Sequence, residues 1–300
     1  MNSPKKIPSK ISLFAPGSSF SKRDFLKGAA WLKSLGAEVS FSPDLFQRKG
    51  HLAGPDPHRA RLLLDALKSG DIVIAARGGG GCGRLFPFLK KEMAALKPFS
   101  KILIGSSDVT SLYLFTQALS PQIFVYGPMV CRYGGGEFKG FEKKNLERII
   151  QGTLKFPLLY PKGFHIAKTG QGVRGRLDGG NLSILTASLG TPYEWEPKGP
   201  ILYLEDVNEP LYRVDRMLTQ LSHAGKLKNF KAVLVGKTTG PASGRSFKIF
   251  RECALEYFGG VKGPVLLKIP TGHGPTQWPF FLGGTYAVER GIACLEMKPS

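Results

Sequence analysis

"LIGSSDVTSLYLF", Leu103 to Phe115, carries the decision about the fold. An apolar run from Lys101 to Ile104 stops at Gly105, two serines and Asp108 follow, and helical spacing then begins. A short apolar strand that turns into a helix is the repeating piece of a parallel α/β sheet. The serines raise a second question. Serine or aspartate at a helix start is commonly a cap, so local rules alone favour capping over nucleophilic chemistry.

Working outward, the same pattern recurs. Ile11 to Ala15 is an apolar strand that ends in the turn Pro16-Gly17-Ser18-Ser19. Phe25, Ala29, Leu32 and Leu35 keep helical spacing up to Gly36. Val39 to Phe41 reads as a weak strand, Arg59 to Leu67 as a helix, and Asp71 to Ala76 and Ile123 to Val125 as buried-type strands. Short apolar strands separated by helices imply a parallel sheet covered on both faces, with its site at the carboxyl ends of the strands. The strand exits here are rich in Gly and Ser, as that rule expects. From Gly135 to Gly175 the pattern weakens to one helix, Glu142 to Ile150, and irregular polar sequence. Beyond it come strands at Val173 to Leu177, Ile201 to Leu204, Ala232 to Val235 and Val265 to Leu267, with helices Tyr212 to Ala224 and Phe247 to Tyr257. The expected organisation is an α/β N-terminal domain over residues 1–140, a crossover over 141–172, and a smaller mixed domain over 173–300.

A chain of 300 residues is long for one core and comfortable for two. Its net charge of +20, from 42 Lys+Arg against 22 Asp+Glu, raises a nucleic-acid partner. The basic residues are dispersed, however, with only short groups at Lys5-Lys6, Lys90-Lys91, Lys143-Lys144 and Lys226 to Lys231. A solvated basic surface is the favoured reading, and nucleic acid is not the expected partner. Cys82, Cys131, Cys253 and Cys294 form no CxxC pair, which fits a reducing compartment. No apolar core follows the charged N-terminus, so neither a signal peptide nor a membrane span is expected, and the location expected is the cytoplasm. There is no HExxH and no histidine cluster, so neither metal nor cofactor is expected.

Three features could carry chemistry. In "ARGGGGCGRLF", Ala76 to Phe86, Gly78, Gly80 and Gly83 satisfy GxGxxG, but outside the first strand-helix turn and with no acidic residue placed for a ribose. Arg84-Leu85 stands where a P-loop needs Lys-Ser/Thr. The run could be a tight turn, or its bare N–H groups could receive an oxyanion. Gly105-Ser106-Ser107-Asp108-Val109 approximates a GxSxG turn without the last glycine; on such a turn the serine oxygen projects outward and the next amide faces the attacked carbonyl. Among His51, His58, His165, His223 and His273, only His273 sits between two glycines in a loop after a strand, with no packing pattern to explain it. Glu205 closes the apolar strand Ile201 to Leu204 and could orient a histidine, with Asp206 and Glu209 as competitors.

Taken in order, Ala15 to Ser18, "HLAGPDPHRA" (His51 to Ala60), "ARGGGGCGRL", "GSSDVT", "YGPMV" (Tyr126 to Val130), "GGNLSIL" (Gly179 to Leu185), "LEDVNEPLYRVDRMLTQL" (Leu204 to Leu221) and "PTGHG" (Pro270 to Gly274) resemble the LD-carboxypeptidases, serine peptidases that trim cell-wall peptides, and the related microcin C immunity peptidases. The resemblance runs nearly end to end. It implies a Rossmann-like parallel-sheet N-terminal domain and a β-rich C-terminal domain, with the site at their interface in a homodimer. It implies Ser107 as nucleophile, Glu205 as orienter and His273 as base, with the amides of Asp108 and of Gly79 or Gly80 as oxyanion hole. The implied substrate is a murein tetrapeptide that loses its terminal D-alanine in cell-wall recycling. Arg77, Arg84 and Arg132 are candidates for its carboxylate. One departure is Gly80, where the family often carries an aromatic residue. The alternatives are a peptidyl- or aminoacyl-nucleotide substrate on the same triad, or a non-catalytic binder of nucleotide or nucleic acid.

Overall fold

The computed structural model describes residues 9–135, 138–161, 164–237, 247–289 and 292–299. Lys5 and Lys6 therefore lie outside the described residues. The strands are β1 (Lys10–Phe14), β2 (Glu38–Ser40), β3 (Ile72–Ala75), β4 (Ile102–Gly105), β5 (Ile123–Tyr126), β6 (Leu158–Leu159), β7 (His165–Lys168), β8 (Val173–Asn181), β9 (Ile201–Glu205), β10 (Ala232–Lys237), β11 (Val265–Gly272), β12 (Phe280–Leu282), β13 (Thr285–Glu289) and β14 (Ile292–Met297). The helices are α1 (Lys22–Ser34), α2 (Asp56–Ser69), α3 (Phe86–Ala94), α4 (Thr110–Leu119), α5 (Val130–Tyr133), α6 (Gly140–Ile150), α7 (Leu182–Ala187), α8 (Leu211–His223) and α9 (Phe247–Phe258).

The fold is α/β with two sheets. The first has the order β12-β5-β4-β3-β1-β2, and β1 to β5 run parallel. Every residue of β3 and β5 is buried, which is why both read as unbroken apolar runs. Strand order reverses between β1 and β3, so their carboxyl ends diverge and leave a crevice. The second sheet has the order β6-β14-β13-β8-β9-β10-β11-β7. Its centre, β8 to β11, is parallel, and antiparallel strands flank it. β8 serves two neighbours: Val173 to Arg176 pair antiparallel with β13, and Leu177 to Asn181 pair parallel with β9.

Five strands go beyond the expected pattern: β13 and β14 form an antiparallel pair on the second sheet, and the other three are shorter. β6 and β7 lie in the stretch read as irregular, and they join the second sheet through β14 and β11. β12 follows His273 in the chain yet pairs antiparallel with β5 of the first sheet. A C-terminal segment thus closes the N-terminal sheet. β6, β7 and β12 are only two to four residues long, too short for a periodicity to register.

The sheets meet along α4 and the ends of β5, β8 and β9. Tyr113 Oη donates to Asp178 Oδ1 at 2.7 Å, Arg176 Nη2 donates to Gln117 Oε1 at 3.0 Å, and Asn181 N donates to Thr110 Oγ1 at 3.3 Å. Phe86, Phe115 and Tyr193 form an aromatic triangle across the same seam, with ring centroids 4.2 to 5.2 Å apart. The paired glycines of β8 make close approach possible. Gly179 has φ +134°, and a Cβ there would lie 1.9 Å from Tyr203 O. Gly179→Ala is therefore expected to lower stability by about 3 kcal/mol or more, from backbone strain plus overpacking. A urea midpoint equal to that of the parent protein would contradict this packing.

Candidate active site

Six side chains or turns converge from carboxyl strand ends. Gly78 to Gly81 follow β3, Ser107 follows β4, and Tyr126 ends β5; Asn181 ends β8, Glu205 ends β9, and His273 follows β11 directly. Both sheets therefore aim their parallel strands at one seam.

Ser107 is half-buried and has φ +59°, in the left-handed region that a non-glycine residue occupies at a cost of roughly 1–3 kcal/mol. The capping question has a clear answer. Ser106 occupies the cap position but makes no side-chain cap bond, and it is buried. The strained turn is held by other groups. Ser107 N–H donates to Tyr126 Oη at 2.9 Å, and the Asp108 carboxylate accepts Cys82 N–H at 2.9 Å.

Glu205 is 1% exposed, and its carboxylate is fully engaged. Oε2 accepts from His273 Nδ1 at 2.8 Å. Oε1 accepts from Asn181 Nδ2 at 3.0 Å and from the Tyr126 hydroxyl. Burial opposes the charge, but the His273 ion pair and the donors Tyr126 and Asn181 outweigh it and hold the acid below the usual glutamate range. Burial likewise disfavours a charged His273, yet the Glu205 carboxylate, with a smaller contribution from the Asp206 charge, outweighs it and raises the imidazole above the usual histidine range. With Nδ1 committed to Glu205, Nε2 is the nitrogen left for proton transfer. Among the described residues neither Ser107 Oγ nor His273 Nε2 has a hydrogen-bond partner. The structure thus joins Glu205 to His273 directly, and to the Ser107 backbone only through the Tyr126 hydroxyl. Of the competing acids, Asp206 stands next to Glu205 and shares its Asn181 amide at 3.2 Å, but its other bonds come from Ser183 N and Oγ and from Val207 N rather than from His273, and Glu209 pairs with Arg213.

The glycine run faces Ser107. A Cβ on Gly78 would lie 3.1 Å from Ser107 Cβ and 3.4 Å from Asp108 N. Gly78 O accepts from Ser18 N at 3.1 Å, and Gly80 N–H donates to Ser18 Oγ at 3.2 Å. A trans peptide points its N–H opposite its carbonyl, so the Gly79 amide faces away from Ser18 while the Gly80 amide is occupied. Gly81 O is held by Arg59 Nη1 at 3.0 Å, and the same buried guanidinium also binds Pro16 O. At Gly80 an added Cβ would meet nothing within 4 Å, so the backbone there does not itself require glycine. Of the three arginines, Arg84 is paired with Asp56 at 2.7 Å and Arg132 with Glu142 at 3.2 Å. Arg77 is exposed and, among the described residues, donates only to Ser19 O, at 3.3 Å. A cavity of about 510 Å³ opens beside the turn, bounded by Gly81, Phe86, Asp108, Ile184 and Tyr193.

Tyr126, Asn181 and Arg59 carry this geometry but received no role from the sequence. Each lies in a motif quoted above, "YGPMV", "GGNLSIL" and "HLAGPDPHRA"; for Tyr126 and Asn181 the signal available was a polar side chain beside glycine at a strand end, and Arg59, in the first turn of α2, offered none. No group of three or more His, Cys, Asp or Glu that could hold a metal occurs among the described residues.

A buried Glu–His pair at strand ends, beside a serine on a strained turn, is the equipment of an acyl-transfer hydrolase. The comparisons agree with that class. The LD-carboxypeptidase N-terminal domain matches residues 11–127, and the LD-carboxypeptidase C-terminal domain matches residues 174–288. A probable murein peptide carboxypeptidase of Bacillus subtilis is 30% identical over 228 residues, 75% of this chain and 70% of that protein. The microcin C7 self-immunity protein MccF of Escherichia coli is 26% identical over 311 residues, 93% of this chain and 89% of that protein. The crystal structure of muramoyltetrapeptide carboxypeptidase from Oxalobacter formigenes superposes with a TM-score of 0.82 at 28% identity, covering 97% of this chain and 100% of that one. The chain belongs to the LD-carboxypeptidase family, and it is a serine-type LD-carboxypeptidase, a hydrolase.

The electrostatics yield a test independent of turnover. Because Glu205 is the main group that raises His273, the imidazole should titrate above an ordinary histidine in the parent protein. In Glu205→Gln, only the Asp206 charge is left to oppose burial, and the imidazole should titrate lower than in the parent protein. NMR titration of the imidazole checks both signs; an unchanged midpoint in the variant would contradict the pairing.

Proposed function

We propose that Ser107 is the nucleophile, His273 the general base and Glu205 its orienter, acting on murein tetrapeptides. The observation that carries this reading is the 2.8 Å bond from His273 Nδ1 to a fully buried Glu205, which turns Nε2 toward proton transfer. His273 Nε2 takes the proton of Ser107 as Oγ bonds to the carbonyl carbon that precedes the terminal D-alanine. The amides of Asp108 and Gly79 receive the oxyanion, each donor worth about 3–4 kcal/mol in comparable sites. His273 returns the proton to the leaving nitrogen, the C–N bond breaks and D-alanine departs. Water, deprotonated by His273, then releases the tripeptide from Ser107.

Arg77 is the arginine we assign to the free terminal carboxylate, because Arg84 and Arg132 are already paired with acids. We further propose action as a homodimer in the cytoplasm, in recycling of cell-wall peptides. Four free cysteines fit a reducing compartment, and no helix among the described residues is long and apolar enough to cross a membrane.

Incubation with defined tri-, tetra- and pentapeptides and an aminoacyl-nucleotide, followed by mass analysis, tests the substrate. The expected outcome is D-alanine release from the tetrapeptide alone, reduced roughly 10⁴-fold or more in Ser107→Ala. Cleavage of the aminoacyl-nucleotide alone would transfer the reading to the immunity-peptidase substrate class. Full activity in Ser107→Ala would overturn the nucleophile.

A further inference from the structure

We propose that Tyr126 is a positioning residue that sets both the Ser107 turn and the basicity of His273 through one hydroxyl. This inference rests on the triad reading above. The phenol oxygen accepts from Ser107 N–H at 2.9 Å and donates its only proton to Glu205 Oε1. The other carboxylate oxygen holds His273 Nδ1 at 2.8 Å. The chain Ser107 N–H, Tyr126 Oη–H, Glu205, His273 therefore runs from the backbone of the nucleophile to the base. The one link it lacks is the reactive one, from Ser107 Oγ to His273 Nε2.

Three observations show that this placement is fixed. Tyr126 is fully buried, and Tyr126 pairs in register with Gly105, two residues before the nucleophile. Its ring packs edge-on against Tyr203, with centroids 5.3 Å apart and planes at 70°. Tyr203 in turn hydrogen-bonds Thr271 Oγ1 at 3.2 Å, two residues before His273. Burial, and next the negative charge of Glu205, keep the phenol protonated far beyond the working pH, so it donates throughout.

The chemistry follows from the direction of the bonds. Donation to Oε1 withdraws charge from Glu205 and so limits how far the carboxylate can raise His273. Acceptance from Ser107 N–H satisfies an amide that the left-handed turn would otherwise leave buried and unpaired. Removing the hydroxyl should therefore have two effects with different signatures. The turn becomes less populated, which lowers kcat with little change in KM. The carboxylate becomes a stronger partner for the imidazolium, which moves the acid limb of the pH profile upward.

The experiment measures kcat/KM against pH, and the NMR titration of His273, for Tyr126→Phe and for site-specific 3-fluorotyrosine at 126. Fluorination keeps the frame and makes the hydroxyl a stronger donor, so this form folds even if Tyr126→Phe does not. The expected result is a loss of about tenfold in kcat for Tyr126→Phe, with the acid limb and the imidazole midpoint raised by about half a unit. The fluorinated form should shift both downward. Profiles and midpoints that superimpose on the parent protein in both forms would overturn the proposal. Ser107→Ala and His273→Ala serve as controls: if both are inactive while the Tyr126 forms behave as the parent, this inference fails and the triad stands. If they retain activity, the triad itself fails.

Discussion

The structure turns on one buried carboxylate. Glu205 belongs to the second sheet, yet a phenol from the first sheet supplies one of its three donors. An ionised acid removed from water is costly unless its oxygens are satisfied, and losing one partner of such a group typically costs several kcal/mol. The seam between the sheets must therefore stay closed for Glu205 to stay charged. Closure and the ionised acid are one condition, and the charged acid is what prepares His273.

The same logic explains the rest of the seam. Asp178, Asp206 and Asp108 are all buried acids within a few residues of the site, and each is hydrogen-bonded by backbone N–H groups. Asp108 holds the glycine run to the serine turn through Cys82. Asp178 holds β8 to α4 through Tyr113. Apolar residues could fill these positions with less desolvation cost, but they would not fix backbone amides at defined angles. The second end of the glycine run is fixed by Arg59, which ties Gly81 O and Pro16 O to α2. A loop of glycines would otherwise be the most mobile backbone in the chain. Here it is anchored at Gly78, Gly80, Gly81 and Cys82.

Much of this was legible in the sequence, and what was legible shares a cause. Glu205 interrupts no packing pattern because it ends an apolar strand, so it stands out. The turn after Ile104 announces itself by an abrupt change from apolar to Gly-Ser-Ser-Asp. Tyr126 has no such signal: it reads as the last apolar residue of β5, and its meaning comes from a partner 79 residues away. Asn181 likewise looks like a helix cap, which it also is, since its Oδ1 accepts from Ile184 N at 3.2 Å. β11 runs to Gly272, five residues past the expected end, because a register shift and a left-handed Lys268 break the strand periodicity there. That extension is what delivers His273 to Glu205. β12 could not be assigned to the first sheet, because nothing local tells a strand which distant edge it will join.

The two sheets together supply what neither holds alone, the Ser107 turn from the first and the Glu205–His273 pair from the second. Labelling with a serine-directed fluorophosphonate, followed by peptide mapping, tests this most directly. One adduct is expected, on Ser107, formed by the parent protein and lost in His273→Ala. An adduct on another serine, or labelling of Ser107 at the parent rate without the imidazole, would contradict it.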